Sequence, residues 1–357
     1  MILFIVNEQS GNGRGKQAWS AVERRMHEIG CRSDYVKIAA KNEVDAIREA
    51  EAMTTQGGIT ALIAVGGDGT LHALLPLAVR CQLPLGLIPC GSGNDTARAF
   101  GLPRHPIAAL EIALNGQTQR VDLLRSAAQP AEPALRPEQN IRASTSGLTR
   151  QPARLPAQPR LTLTCIASGL DGAVAADVNG SRYKRWCNRL GIGTAAYIIG
   201  LFRTLARFKP QTVTVTVDGA AREFRRCWLT AIANTPAYGG GLRICPTASP
   251  SDGRLQVCVV NGCSALQLLL LFPTVFFGKH VRSRFVTMLA GTNVAIRSPF
   301  PFSAYGDGEP VGSTPLDTEI LSGQLLILTS CSGYRNGSTI SNTVPLPISL
   351  FALIRPR

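Results

Sequence analysis

Residues 60–80, TALIAVGGDGTLHALLPLAVR, constrain the fold more than any other stretch of the chain. Five apolar residues of strand character, 61–65, stop at Gly66-Gly67-Asp68-Gly69-Thr70, and a helical period of leucines (Leu71, Leu74, Leu75, Leu77) begins at once. A strand that turns into a helix through so little chain is a unit of an α/β parallel sheet. Glycines at three of four positions permit positive φ and close backbone approach to a ligand. The helix end behind them favours an anion, above all a phosphate. Asp68 is itself an anion, so a phosphate here calls for a cation between them, which points to Mg²⁺. An isolated GGDG is equally well a plain strand-to-helix turn. The rest of the chain has to decide.

The first third repeats the unit. Strands at 2–6, 35–38, 61–65 and 83–88 alternate with helices at 17–29, 44–54, 71–80 and 95–100, which predicts a doubly wound parallel sheet. In such a sheet the loops that follow strands emerge at one edge. Three of these loops are rich in Gly, Ser, Asn or Asp: residues 7–16, with Asn7, Ser10 and Gly11; residues 66–70; and residues 91–95, with Gly91, Ser92, Asn94 and Asp95. Their convergence turns an ambiguous turn into a nucleotide phosphate site. The glycine spacing at 11, 13 and 15 fails the dinucleotide fingerprint, and no P-loop sequence is present.

After Asp122-Leu123-Leu124 the composition changes. Residues 126–160 are rich in Ala, Pro, Gln and Arg without a hydrophobic period, the pattern of a flexible basic insertion. From residue 161 strands dominate: LTLTCIAS, the hairpin TVTVTV–Asp218–Gly219, and runs at 227–233, 255–260, 293–297 and 324–328. A short helix from Asp171 and a longer one over 188–208 are expected. Antiparallel pairing into a β-sandwich is expected. The division is then an α/β domain over 1–125, completed by a returning segment near 313–335, a sandwich over 161–312, and a flexible tail over 336–357.

Two acidic spots lie in the second half. Tyr305-Gly306-Asp307-Gly308-Glu309-Pro310 places two carboxylates in a glycine turn. Glu309 there suits a general base that takes a proton from an alcohol during phosphoryl transfer, with Asp307 positioning it or holding metal-bound water. The other spot, residues 246–255, offers Asp252 and neighbouring carbonyls to a hard cation. Gly239-Gly240-Gly241 before it demands a tight backbone facing the interdomain cleft.

A formal charge of +14 implies an acidic partner. With aromatic content of only 6% and no nucleic-acid motif, a nucleic acid is the poorest fit. An anionic membrane or phosphorylated small molecules fit better. Ten scattered cysteines without a C-x-x-C pair suit a reduced cytoplasm. The N-terminus lacks a basic n-region and a cleavage site and reads as a first strand, not a signal peptide. Residues 265–278, broken by Pro273, are too short for the ~18 apolar residues of a membrane span and read as a buried or surface-docked helix.

In order along the chain, GGDGT at 66–70, GSGND at 91–95, Asp122, the GGG-x-x-I-x-P run at 239–246, DG at 252 and DGE at 307 resemble the diacylglycerol kinase catalytic-domain family, in its bacterial soluble lipid kinase branch. GGDGT alone is shared with NAD kinases and phosphofructokinases; the ordered set is more specific. The resemblance covers about residues 2–329 and implies an NAD-kinase-like ATP domain, a β-sandwich, and an active site in the cleft between them. It further implies that Asn7, Ser10, Gly11 and the loops Gly66-Gly67-Asp68-Gly69-Thr70 and Gly91, Ser92, Asn94, Asp95 hold ATP. Asp68 would organise the catalytic Mg²⁺, and Glu309 would be the proton acceptor. Ser249, Asp252 and Arg254 would form a second, structural Mg²⁺ site, with Ser249 and Arg254 giving carbonyl oxygens.

The expected activity is ATP- and Mg²⁺-dependent phosphorylation of a lipid hydroxyl, with diacylglycerol first, at an anionic membrane surface touched peripherally by a cytoplasmic protein. A sphingoid-base or ceramide kinase, an NAD-kinase-like enzyme, and a nucleotide-binding regulator without turnover are the alternatives. Exposed sandwich edges make a homodimer an expectation too. The first loop, NEQSG, departs from the family in having no Pro after Asn7, and the family's Thr near residues 39–41 is missing.

Overall fold

The computed structural model describes residues 1–31, 34–39, 42–128, 159–180 and 200–330. Most of the insertion at 126–160, residues 188–199 of the expected helix, positions 40 and 41, and the tail at 336–357 lie outside the described residues.

β1 (Ile2–Val6), β3 (Ala61–Gly66) and β4 (Leu85–Pro89) are buried along their whole length, as strands covered on both faces must be. Their side chains alternate between two cores. Leu3, Ile5, Leu62 and Ala64 meet Leu71, Leu74 and Leu75 on one face, while Phe4, Val6, Ile63 and Val65 meet Trp19, Val22 and Leu110 on the other. The first core is closed by α2 (Glu43–Gln56) and α3 (Asp68–Cys81), the second by α1 (Ser10–Glu28) and α5 (Pro106–Asn115). With β2 (Tyr35–Ile38) at the edge, the parallel order is β2-β1-β3-β4.

Two long strands join this sheet to the rest. β15 (Leu316–Thr329) pairs in parallel with β4 at Ile327 and antiparallel with β5 (Gln117–Ala128) over most of its length. The register slips between Leu321 and Leu325. Beyond that slip, β15 pairs with β12 (Asn293–Arg297), and β5 pairs with β6 (Arg160–Thr162).

The second half is a β-sandwich. β12 continues the first of its sheets into β8 (Gln211–Val217) and the start of β9 (Ala220–Ala233). Arg226, at φ 52°, bends β9, whose second half pairs with β7 (Cys165–Gly169) and β10 (Leu255–Asn261). One bent strand therefore passes from sheet to sheet. β11 (Val286–Gly291), β13 (Ser303–Gly306) and β14 (Glu309–Ser313) complete the other sheet. Ile166, Val213, Val215, Ile232, Val257 and Ile296 fill the space between. α6 (Leu170–Gly180) and α7 (Ala265–Val275) cover the outer face.

Some local expectations change. The run 227–233 and the return leg of the hairpin are one strand, β9. LTLTCIAS is not one strand: β6 and β7 are separated at Leu163 and Thr164. Helix α5 and most of strand β5 occupy residues that the sequence pattern left unassigned. The end of β5 at 126–128 and the start of β6 at Arg160 take both ends of the expected insertion into the sheet, since residues 126–128 pair with β15 and Ser126 pairs with Arg160.

Candidate active site

The three glycine-bearing loops interlock at the carboxyl edge of the parallel strands. Asn7 donates its side-chain amide to Thr70 Oγ1 (3.2 Å) and its backbone N–H to Val65 (2.9 Å). The Cys90 N–H donates to the Gly66 carbonyl (2.7 Å). Arg14 binds the carbonyls of Gly11 and Gly91, both at 3.0 Å, tying the first loop to the third.

The glycines of GGDGT do not serve a positive φ as expected; none of Gly66, Gly67 and Gly69 has one. They serve close approach. A Cβ on Gly66 would lie 2.4 Å from Thr70 Oγ1, and one on Gly91 would lie 2.7 Å from the Cα of Gly67. Left-handed conformations occur instead at Gly11, Asn12, Gly13 and Asn94. A cavity of about 290 Å³ opens beside the third loop, lined by Arg14, Ser92, Asn94 and Arg104 among others. Asn94 Oδ1 is buried there without a hydrogen-bond partner.

Asp68 is the first residue of α3, not part of a preceding loop. Its carboxylate accepts the backbone N–H groups of Asp95 (3.1 Å) and Thr96 (3.0 Å), which open the short helix α4 (Asp95–Ala99). Peptide dipoles thus meet part of the charge that the sequence reading assigned to a cation alone.

The catalytic pair expected in the second half sits on a two-residue hairpin. Asp307 (φ 53°) and Gly308 (φ 88°) join β13 to β14, both in the left-handed region that such a turn requires. The Asp307 side chain is 3% exposed. It accepts four hydrogen bonds: Leu163 N–H (2.8 Å), Thr164 N–H (2.8 Å), Thr164 Oγ1 (2.6 Å) and His72 Nδ1 (3.0 Å). The break between β6 and β7 follows from this, because Leu163 and Thr164 turn their N–H groups out of the ladder toward the carboxylate. Asp307 is therefore a fixing point for the turn.

His72 stands one helical turn after Asp68 on α3, 14% exposed at its side chain, and reaches Asp307 across the cleft. Burial opposes its charged form, but the Asp307 hydrogen bond and the charges of Asp307, Glu309 and Glu43 outweigh that and raise its pKa. Burial likewise pushes the Asp307 pKa up, yet His72 and the Thr164 and Leu163 donors bring it down. The two shifts agree on an ion pair. Glu309, two residues on, is exposed, and its Oε1 would lie 3.1 Å from a Cβ on Gly69. The general-base candidate thus faces the backbone of the phosphate loop.

Asp95 also reaches out of its loop. It accepts the Gly240 N–H (2.9 Å) and the Arg98 guanidinium (2.6 Å), so it bridges the third loop to the sandwich. Gly239, Gly240 and Gly241 all take positive φ to present that N–H. Burial and the charge of Asp68 push the Asp95 pKa up to about 6.

Ser249, Asp252 and Arg254 lie in the segment that leads into β10. Asp252 accepts the Arg254 N–H (3.0 Å). Asp122, 3% exposed, accepts the N–H groups of Gly253 (2.8 Å) and Gly323 (2.7 Å) and donates its own N–H to Pro250 (2.7 Å). It pins this segment to the register slip of β15. Among the described residues, no three His, Cys, Asp or Glu side chains cluster as a ready-made metal cage. The donor chemistry nevertheless fits Mg²⁺, which takes one or two carboxylates and completes its shell with water and substrate phosphate. Asp68 and Asp95 both lie within 4 Å of the Cβ position of Gly93, and their mutual repulsion is what a dication relieves.

The sequence reading missed His72, Glu43 and Arg14. Only His72 left a signal, its four-residue spacing from Asp68 on one helix face.

The glycine loops of a doubly wound α/β domain thus meet a carboxylate borne by the sandwich. Residues 1–126 match the family described as Diacylglycerol kinase catalytic domain, and residues 164–329 match YegS C-terminal NAD kinase beta sandwich-like domain. A protein named Diacylglycerol kinase from Mycobacterium tuberculosis (strain ATCC 25618 / H37Rv) is 31% identical over 320 residues, 89% of this chain and 91% of the relative. One named Probable lipid kinase YegS from Salmonella arizonae is 24% identical, covering 90% and 94%. The crystal structure of a diacylglycerol kinase from Bacillus anthracis str. Sterne shares the fold, with TM-score 0.62 and 16% identity over 93% of this chain and 98% of that one. The chain belongs to the diacylglycerol kinase catalytic-domain family. By that membership it is a kinase of the lipid-kinase class. Among the described residues no helix is long and apolar enough to cross a membrane.

Proposed function

We propose that the chain transfers the γ-phosphoryl group of ATP to a lipid hydroxyl in a Mg²⁺-dependent reaction, with diacylglycerol as acceptor and phosphatidic acid as product. The observation that carries this reading is Glu309 facing Gly69 of the GGDGT loop across the cleft. A base for the acceptor hydroxyl and a cradle for the donor phosphates then border the same space.

In this reading the N–H groups in the first turn of α3, which have no acceptor within the helix, receive phosphate oxygens together with the loops of Asn7, Ser10, Gly11 and Gly91, Ser92, Asn94. Glu309 accepts the hydroxyl proton as the acceptor oxygen bonds to the γ-phosphorus. The bond from that phosphorus to the β–γ bridging oxygen breaks, and ADP leaves. Asp307 fixes the turn that aims Glu309, and His72 fixes Asp307. Asp68, with Asp95 beside it, would hold Mg²⁺, whose charge would offset that of the phosphates. Ser249, Asp252 and Arg254 would hold a second ion as a structural element. The acceptor is drawn from an anionic membrane surface contacted peripherally, in keeping with the +14 charge.

Transfer of labelled phosphate from ATP, with and without Mg²⁺, to vesicles carrying diacylglycerol, a sphingoid base or ceramide tests this. Labelled phosphatidic acid only in the presence of Mg²⁺ is the expected result. Transfer to NAD or another soluble acceptor, with none to any lipid, overturns it.

A further inference from the structure

Four of the eight exposed large apolar side chains among the described residues fall within residues 266–277: Leu266, Leu270, Phe276 and Phe277. They belong to α7 and the turn that ends it. The inner face of α7 is spoken for, since Leu268, Leu271 and Val275 pack on the second core of the sandwich. The outer face would ordinarily be polar. Here Leu266, Leu270 and Phe277, spaced by four and seven residues, are 67%, 70% and 72% exposed. No residue from 264 to 278 carries a charge. An apolar crest of this kind marks a contact surface.

Charge identifies the occupant. Lys279, Arg282 and Arg284 follow the crest directly, all exposed, and none pairs with a carboxylate among the described residues. Between Asp252 and Asp307 the sequence has no acidic residue at all. Apolar side chains bordered by cations that no carboxylate neutralises are the chemistry of an anionic bilayer interface. A second copy fits poorly, because a two-fold contact over this face would bring the same cations together.

The crest is also tied to the cleft. Arg243 donates its N–H to Val275 (3.2 Å), and the buried His280 imidazole bonds the Ile244 carbonyl (3.0 Å). Gly278, at φ 65°, lies so close that a Cβ would meet Pro246 Cγ at 2.7 Å. That 243–246 segment runs straight on from the Gly239–Gly241 turn, whose central N–H rests on Asp95.

We propose that α7 and the Phe276-Phe277 turn are the element that seats the cleft on an anionic membrane. The inference deepens the lipid-kinase reading and rests on it for the identity of the acceptor, but not for the docking itself. The test uses the full chain and the double substitution L270Q/F277Q, at two sites too exposed to matter to folding, with K279A/R282A beside it. Flotation with mixed phosphatidylcholine–phosphatidylglycerol vesicles and with pure phosphatidylcholine vesicles is the first readout. Phosphoryl transfer to vesicle-borne and to water-dispersed short-chain diacylglycerol is the second.

The expected result is at least tenfold (~1.4 kcal/mol) weaker binding of L270Q/F277Q to mixed vesicles, with transfer to the dispersed acceptor kept. K279A/R282A should lose about tenfold on mixed vesicles and nothing on neutral ones. Wild-type binding by L270Q/F277Q overturns the proposal. So does a wild-type dimer in sedimentation that L270Q/F277Q dissociates without change in vesicle binding. If wild type phosphorylates no lipid while L270Q/F277Q still loses vesicle binding, the substrate reading fails and the docking surface stands.

Discussion

Replacing Asp307 by Asn tests whether this carboxylate acts as a fixing point or as a chemical group. The side chain is 3% exposed and its two oxygens accept four hydrogen bonds, two each. An amide keeps one oxygen, enough for the N–H and hydroxyl of Thr164. The other position becomes a donor and faces the Leu163 N–H and His72. His72 can adapt by changing tautomer; the Leu163 N–H cannot. An orphaned buried donor costs ~1–3 kcal/mol, and removing one partner of a buried ion pair ~3–5 kcal/mol with the unpaired groups included; since His72 can adapt, the low end, about 3 kcal/mol, applies. Against a typical stability of ~5–15 kcal/mol, and a urea slope of ~3 kcal/mol/M, D307N should lower the unfolding midpoint by about 1 M.

The pH profile gives a second handle on the same variant. The Asp307 pKa is lowered by folding, so its contribution exists above the unfolded carboxylate value and is lost as pH falls through the folded one. The His72 pKa is raised, so its contribution is complete below the unfolded imidazole value and is lost as pH rises through the folded one. The pair therefore stabilises most from about pH 4 to about pH 6.5, and D307N should flatten both flanks. A midpoint within ~0.2 M of wild type, with activity lost all the same, would refute the fixing role and make Asp307 a participant in the chemistry.

The other predictions concern single contacts. E309Q should reduce turnover by about 10²- to 10⁴-fold with an unchanged melting temperature, since Glu309 is exposed; labelled-phosphate assays and calorimetry check this. D68N should abolish turnover and weaken ATP binding, read by the loss of ATP-induced thermal stabilisation, because it removes the charge and leaves one of the Asp95 and Thr96 N–H groups without its acceptor. The Asp95 pKa is raised to about 6, so its contribution to stability is present below the unfolded carboxylate value and lost as pH rises through about 6. D95N should remove that part of the dependence in urea midpoints followed from pH 4 to 8. G69A should displace Glu309, lowering turnover more than it lowers stability.

Much of this architecture was legible in the sequence because its signals are local. GGDGT after five apolar residues, the spacing of the other glycine loops and the Asp307-Gly308 turn each specify backbone geometry within a few residues. What escaped is long-range. LTLT at 161–164 alternates apolar and polar as a strand does, yet Asp307, more than 140 residues away, pulls Leu163 and Thr164 out of the strand. The Asp95 carboxylate reads as one more polar group in a phosphate loop until Gly240, 145 residues on, is seen to use it. β5 and β15 were hard to delimit because each serves two sheets, and neither a purely buried nor a cleanly alternating pattern runs its full length.

These long-range contacts explain how two domains hold a cleft to catalytic tolerance. β5 and β15 run unbroken in chain through both, so the domains share a pair of strands where a free hinge could have been. Asp122 locks the slip in that pair by holding Gly253 and Gly323. Around the cleft, His72 grips Asp307 from one side and Asp95 grips Gly240 from the other. Glu309 sits inside this frame but is not part of it. That division suits phosphoryl transfer, where positioning supplies most of the catalysis and an error of about 1 Å can cost 10²-fold. The frame's ionisable members carry perturbed pKa values while Glu309 stays exposed. It follows that loosening the frame at His72, for example with H72A, should lower turnover even though Glu309 and the glycine loops are intact. The more conservative H72Q, able to keep a hydrogen bond to Asp307, should restore part of it. Equal activity in H72A and wild type would show that the cleft is held by the strands alone.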